Sequence, residues 1–287
     1  MSVADVSGLG AAAASPTKPG RIASGAFAWV TPYRMLAVAA PFAVVVAILI
    51  LWQAVTAGGS VSRLLLPAPS EIASAFLTAG PDLLAHTGYT ATEAVLGFAL
   101  GNFTGLLAAI AFVNSDASRR AIYPLATAAQ AVPIVAVTPA LILWFGNGIA
   151  PKIFVTAFLV FFPMLVNALR GLRSADAEVN ELLYTLSASR WQKLWMVRLP
   201  ASTRFVFNAV KLSACACVVS ALVAEWVAAD HGLGYLIVLW STQYRMAEVW
   251  AAVLTGTALS MAMYGLAVLA EWSATPWAAN RHMRRFE

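Results

Sequence analysis

Apolar residues fall into six long runs separated by short polar breaks, and each run has the length a membrane helix needs. A helical span takes roughly 20 mostly apolar residues, and such runs lie at about 35–57, 88–113, 121–144, 149–169, 207–229 and 248–270. Between the fourth and fifth runs the pattern changes. Residues 170–206 are polar and basic, and their apolar positions recur at helical spacing. Ser174 is placed to cap a short helix with Asp176 and Glu178 in its first turn, where negative charge complements the helix dipole. Glu181, Leu182 and Leu183 continue that helix. A turn from Ser187 to Ser189 starts a second one, with Trp191, Leu194 and Trp195 on one face and Arg190 and Lys193 on another. Leu199-Pro200 is expected to end it, because the residue before proline avoids helical backbone. Two short amphipathic helices at an angle make a compact knob.

The apolar runs carry interruptions of their own. In the third, Gln130, Pro133, Thr138 and Pro139 bring two prolines and two polar side chains together, so freed backbone carbonyls need protein or a water-lined cavity to satisfy them. A broken span with polar groups beside it points toward a transport route, and equally toward a kink that only shapes the bundle. Pro163 and Asn167 lie in the fourth run, and Trp144-Phe145-Gly146-Asn147-Gly148 closes the third with an interfacial anchor and a turn. Gly97, Gly101 and Gly105 put three small residues on one face of the second run, which suits close helix packing. After the first run, Leu66-Pro67-Ala68-Pro69-Ser70-Glu71 stops the chain and begins an external amphipathic helix through about Phe76. The segment from His231 through Gly232, Gly234 and Ile237 is too short to span and suits a re-entrant or interfacial helix.

Composition agrees with the pattern. Hydrophobic residues make up 61% of the 287 and charged residues 11%, with a mean hydropathy of +0.77; a soluble domain carries about a quarter charged residues. The net charge of +5 would suit nucleic acid in a soluble protein, but here placement decides. Alternate loops and the termini hold 15 of the 18 cations, among them Arg119, Arg120, Arg173, Arg198 and Arg284, against three on the other side, Arg63, Lys152 and Arg245. Lysine and arginine gather on the cytoplasmic side, so both termini and residues 170–206 are expected inside a multi-pass protein of the cytoplasmic membrane, with the bilayer and not nucleic acid as partner. Residues 1–30 read as a disordered cytoplasmic tail and 276–287 as a basic one, with the membrane domain between them at 31–275. A cleavable signal peptide is the rival for the start, with 36–51 as its apolar core and Val55-Thr56-Ala57 as its cleavage site, though the stretch is long for such a core.

Candidate chemistry is sparse. Cys215 and Cys217 point to different helix faces and read as packing residues. His86, His231 and His282 are scattered and form no metal or nucleophile set, and no cofactor is expected in this chain. Glu93 and Glu225 lie near the outer ends of their spans. Intramembrane carboxylates are functional candidates, although here they can equally be hydrated or paired with backbone.

The loop from Glu181 to Pro200, with a small residue six positions after the glutamate (Ser187), Val197 ten beyond that, and then Leu199-Pro200, resembles the EAA loop of binding-protein-dependent ABC importer permeases. Leu66-Pro67-Ala68-Pro69-Ser70-Glu71, Pro133 with Trp144-Phe145-Gly146, and Glu225 with Gly232-Leu233-Gly234-Tyr235-Leu236 are similar to the branch handling sulfonates, taurine, nitrate and vitamin precursors, and stand in the same order. The resemblance implies an all-α membrane fold of the type I importer kind, six spans with a cytoplasmic coupling loop between the fourth and fifth. It also implies that Glu178, Glu181, Leu182, Leu183, Ser187, Ser189, Arg190, Leu199 and Pro200 couple to a cytoplasmic ATPase. Gln130, Pro133, Thr138, Pro139 and Glu225 are the candidates along the pathway. The implied partners are that ATPase, an external solute-binding protein and a second copy of the permease. ATP and Mg would be bound by the ATPase, since no lysine here follows the glycine a phosphate-binding loop requires. Two departures stand out: Leu182-Leu183 replaces an alanine pair, and Ser187 replaces a glycine. A left-handed turn at Ser187 would carry about 1–2 kcal/mol of strain.

Two other classes compete. A proton-coupled secondary transporter would use Glu93 and Glu225 as relay groups but predicts related halves, and the amphipathic loop has no counterpart in the first half. An intramembrane enzyme needs a reactive constellation that the scattered histidines do not offer.

Overall fold

The computed structural model describes residues 30–59 and 61–275. The tails expected at 1–30 and 276–287 lie outside the described residues, apart from Val30. The chain divides between Leu51 and Trp52. On the near side lies most of α1 (Val30–Ala57), whose apolar stretch runs Ala40–Ala57.

Everything else belongs to the second unit. Pro69 stands in the first turn of α2 (Pro69–Thr78), and Glu71 Oε2 accepts the Ala68 N–H at 3.0 Å, so the expected external helix begins with a glutamate side chain folded back onto its N-cap backbone. α3 (Gly80–Asn114) starts some eight residues before the second apolar run. α4 (Asp116–Ala129) and α5 (Ile134–Phe145) then meet at 97°. α6 (Ile149–Leu172) returns the chain to α7 (Ala177–Thr185), α8 (Arg190–Lys193) and a π-helical turn, Leu194–Arg198. That turn runs directly into α9 (Leu199–Ala228), followed by α10 (Leu233–Thr242) and α11 (Met246–Ala274). Among the described residues five helices are long and apolar enough to cross a membrane, and the candidate spans number six if the bent pair α4–α5 counts as one. Among the described residues the regular structure is entirely helical.

α3, α6 and α9 form the centre, with α11 and α10 against α9 and α2 against α11. The glycine stripe makes the first of these contacts possible. A Cβ on Gly101 would stand 2.5 Å from the Ala157 carbonyl oxygen, and one on Gly105 2.7 Å from that of Phe161, so α3 and α6 approach backbone to backbone and gain dispersion contact along their length. At the loop end, Phe112, Met164, Leu165, Leu172 and Leu194 close one apolar core; at the other, Leu233, Leu236 and Trp240 of α10 close a second with Ile72 and Leu83.

Three expectations need correction. Of Pro133 and Pro139, only Pro133 stands at the interruption: the break spans Gln130–Pro133, whereas Pro139 lies inside α5, where losing one backbone bond bends a helix without ending it. Leu199-Pro200 does not stop a helix either. The Leu199 N–H bonds back five residues to the Leu194 carbonyl; this wider turn precedes Pro200, whose missing donor then falls in the first turn of α9. Ser174 caps nothing ahead of it. Its hydroxyl donates backward to the Gly171 carbonyl at 2.8 Å, and Asp176 is the residue at the N-cap of α7.

Candidate functional site

The loop between α6 and α9 is closed by local caps and braced over its second half. α7 ends with the Ser187 N–H bonded to the Tyr184 carbonyl and the Ala188 N–H to that of Leu183, at 3.0 and 2.9 Å, a Schellman closure whose left-handed position is Ser187 at φ 53°. The serine therefore takes the backbone a glycine would take. Ser189 then caps α8: its Oγ accepts the Gln192 N–H at 3.2 Å while Gln192 Oε1 accepts the Ser189 N–H at 2.7 Å. Arg190 and Arg198 reach across to the end of α3, each donating through Nη1 at 3.1 Å, to the carbonyls of Asn114 and Val113. Cations suit a helix C-terminus, where terminal carbonyls lack partners. Leu194 is buried in the core beneath.

This bracing divides the predicted docking residues. Glu178, Glu181, Leu182, Ser187, Ser189 and Arg190 are exposed, Leu199 is half-buried and Pro200 exposed, but Leu183 is buried. The expected apolar stripe of the second helix is divided too: Leu194 turns inward while Trp191 and Trp195 remain outside. The outward apolar surface of α7 and its C-cap is Leu182, Tyr184 and Leu186, at 59, 78 and 67% exposure. Tyr184, also missed from the sequence, faces Lys193, whose ammonium lies 5.7 Å from the ring centre. Arg198 went unremarked as a brace because its partner lies 85 residues away.

The residues predicted along the pathway do not gather into one site. Gln130, Pro133 and Pro139 are exposed about the α4–α5 break, and Thr138 is buried with its hydroxyl on the Ile134 carbonyl at 3.2 Å. Glu225 sits apart, 1% exposed, at the start of α10. Its Oε2 accepts the Gly234 N–H at 2.6 Å, Thr90 donates to its Oε1 at 2.7 Å, and the same Thr90 oxygen accepts the Leu233 N–H at 2.8 Å. His86 Nδ1 accepts the Gly232 N–H at 2.9 Å. Three successive donors at the head of α10 are thus met by side chains from α3 and α9. Gly232, at φ 106°, lies where a Cβ would overlap the Glu225 carboxylate. Beside this cluster Lys152 Nζ pairs with Glu93 Oε1 at 3.0 Å, both nearly buried. Both carboxylates are thus partnered, Glu225 by backbone and a threonine and Glu93 by a lysine side chain. The Tyr89 and His231 rings stack at 4.7 Å over the same region. Among the described residues no group of three histidine, cysteine or acidic side chains is placed to hold a metal ion.

Residues 101–274 match the family model described as binding-protein-dependent transport system inner membrane component. The riboflavin transport system permease protein RibX of Chloroflexus aurantiacus is 32% identical over 235 residues, 81% of this chain and 88% of that protein. The formylaminopyrimidine transport permease protein ThiX of Halalkalibacterium halodurans is 31% identical over 215 residues, 74% and 86% respectively. The taurine transport system permease protein TauC of Escherichia coli is 28% identical over 197 residues, 66% and 72%. A braced basic loop between membrane helices, a broken third span and the extent of these matches agree, and they favour none of the competing classes: the chain belongs to the binding-protein-dependent transport system inner membrane component family and is a membrane-embedded, non-enzymatic permease subunit of an ABC importer.

Proposed function

We propose that the segment 170–206 is the coupling loop of this permease and faces the cytoplasm together with both termini, and that the chain works as a homodimer with two copies of a cytoplasmic ATPase and an external solute-binding protein. ATP and Mg are bound by the ATPase. Its closure on ATP turns the cavity between the permeases from inward-facing to outward-facing. The distribution of cations, 15 on one side against three on the other, supports this orientation. The observation that carries the proposal is the exposed set Leu182, Tyr184 and Leu186 beside Glu181, mounted on a loop that Arg190, Arg198 and Leu194 fix to the bundle. A mobile knob would lose the partner's motion within itself; a braced one passes it to α3 and α9.

The leucine and tyrosine supply apolar area to a groove in the ATPase, and Glu181 sets the register, since an exposed ion pair alone contributes only about 0–1 kcal/mol. The solute passes beside the α4–α5 break, near Gln130, Pro133, Thr138 and Pro139, while Glu225 holds α10 in place. Given relatives named for riboflavin, formylaminopyrimidine and taurine, the solute is a small organic anion or a vitamin precursor, selected by the external binding protein.

Substitution of the loop tests this. Burying a leucine contributes about 1.5–3 kcal/mol, so Leu182→Asp should weaken ATPase retention on purification at least tenfold. Glu181→Ala should keep the ATPase but lower solute-stimulated ATP hydrolysis. Leu183→Asp, at a buried position, should instead lower the melting temperature of the isolated permease. If Leu182→Asp retains the ATPase and transports normally at wild-type abundance, the docking surface lies elsewhere.

A further inference from the structure

Four cations crowd the loop end of the bundle, and among the described residues none of them has an acidic partner. Arg173, Arg190, Lys193 and Arg198 make no ion pair there, although pairs do form elsewhere, as at Lys211–Glu271 and Arg245–Glu248. The α3 carbonyls that Arg190 and Arg198 bind occupy one N–H of each guanidinium and fix its direction. A guanidinium carries five donors, so most remain to be used. These side chains border two adjoining cavities of about 450 and 460 Å3 that share Val113, Lys193 and Arg198. Arg173 and Tyr184 complete one and Arg190 and Ser115 the other, and among the described residues no carboxylate lines either. The space, the orientation of the donors and the unbalanced charge describe a receptor for a group with several anionic oxygens.

A second feature of the same segment says which source supplies it. Trp191 and Trp195, four residues apart and 64 and 66% exposed, stand outside the cavities on the helical stretch that carries Arg190, Lys193 and Arg198. Tryptophan beside cations at the end of a span marks the level of lipid headgroups, and basic pockets between membrane helices on that side receive anionic ones. We infer that the two cavities seat the phosphate of an anionic phospholipid, bridging the end of α3 to the coupling loop. The lipid would then stiffen the contact through which the ATPase acts. This inference rests on the loop facing the cytoplasm, as proposed above. Thiol labelling reports that orientation whether or not lipid binds, so the two fail separately.

The test is a titration of the full-length permease in detergent with short-chain phosphatidylglycerol, phosphatidylcholine or inorganic phosphate, read by native mass spectrometry. Phosphatidylglycerol should bind and phosphatidylcholine should not. Arg173→Gln and Lys193→Gln, which leave the α3 braces in place, should each weaken phosphatidylglycerol about fivefold, and together about 25-fold. Arg173→Lys should restore most of the binding, and Arg245→Gln on the opposite side should change nothing. Unchanged affinity in the double variant, at an unchanged melting temperature, would overturn the inference. So would inorganic phosphate binding as tightly as the lipid, which would make this a free-anion site, or loss of bound lipid when the ATPase docks, which would give these cations to the protein partner.

Discussion

At Ser187 the backbone stands at φ 53° and carries a side chain where glycine would be relaxed. The left-handed turn costs a non-glycine residue about 1–2 kcal/mol, and Schellman bonds made through Ser187 and Ala188 hold it there. Ser187→Gly should therefore raise the melting temperature of the purified permease, by an amount corresponding to about 1 kcal/mol, without altering ATPase retention; a lower melting temperature would mean that the hydroxyl has a partner to lose. Lys152 and Glu93 pose a different problem. They form an ion pair inside the bundle with side-chain exposures of 10 and 3%, so removing one partner leaves a charge without compensation. Lys152→Met should cost about 3–5 kcal/mol, and pairing it with Glu93→Gln should recover most of that loss. Thermal unfolding of the three variants checks this: if the double variant is as unstable as the sum of the singles, the two groups are not coupled.

Among the elements, α3 and α6 show most directly how small residues set architecture. On one helix, α3, a Cβ added at Gly88 would meet nothing within 4 Å, whereas a Cβ at Gly101 meets the Ala157 carbonyl at 2.5 Å and the Val160 Cβ at 2.9 Å. Alanine at Gly88 gains helix propensity of up to about 1 kcal/mol. Alanine at Gly101 forces two backbones apart, a strain of about 1–3 kcal/mol. The same chemical change should thus have opposite signs, Gly88→Ala raising the melting temperature and Gly101→Ala lowering it; equal effects would show that α3 and α6 do not meet backbone to backbone. The π turn at Leu194–Arg198 is the other telling element. It lets Leu194 enter the core and Arg198 reach Val113 while the chain continues unbroken into α9, so the end of the loop and the fifth span form one continuous helix, and in the proposed role a push on one is delivered to the other.

For the whole molecule, if 170–206 couples as proposed, one permease chain offers one docking loop and engages one ATPase, and ATPases that close on each other need two. The proposed homodimer predicts two permease chains with two ATPase chains in the mass of the solubilised complex. A stable particle holding this chain and one different permease would exclude the homodimer and leave the importer class untouched.

Apolar length, the cation pattern and the spacing of Glu181, Ser187, Val197, Leu199 and Pro200 were readable from the chain alone, because the bilayer imposes one-dimensional rules: span length follows from thickness, orientation from charge, and an amphipathic break must leave the membrane. Small residues at 97, 101 and 105 were legible for the same reason, since a four-residue period defines a helix face before any partner is known. What folding decided depends on neighbours distant in sequence. Whether Leu182 or Leu183 faces outward turns on the rotation α7 takes about its own axis. That Pro200 continues a helix depends on a widened turn held by the burial of Leu194. Glu225 meets Thr90 across 135 residues and Lys152 meets Glu93 across a helix interface, and a buried charge takes whatever partner the packed helices bring within reach, which local periodicity does not encode.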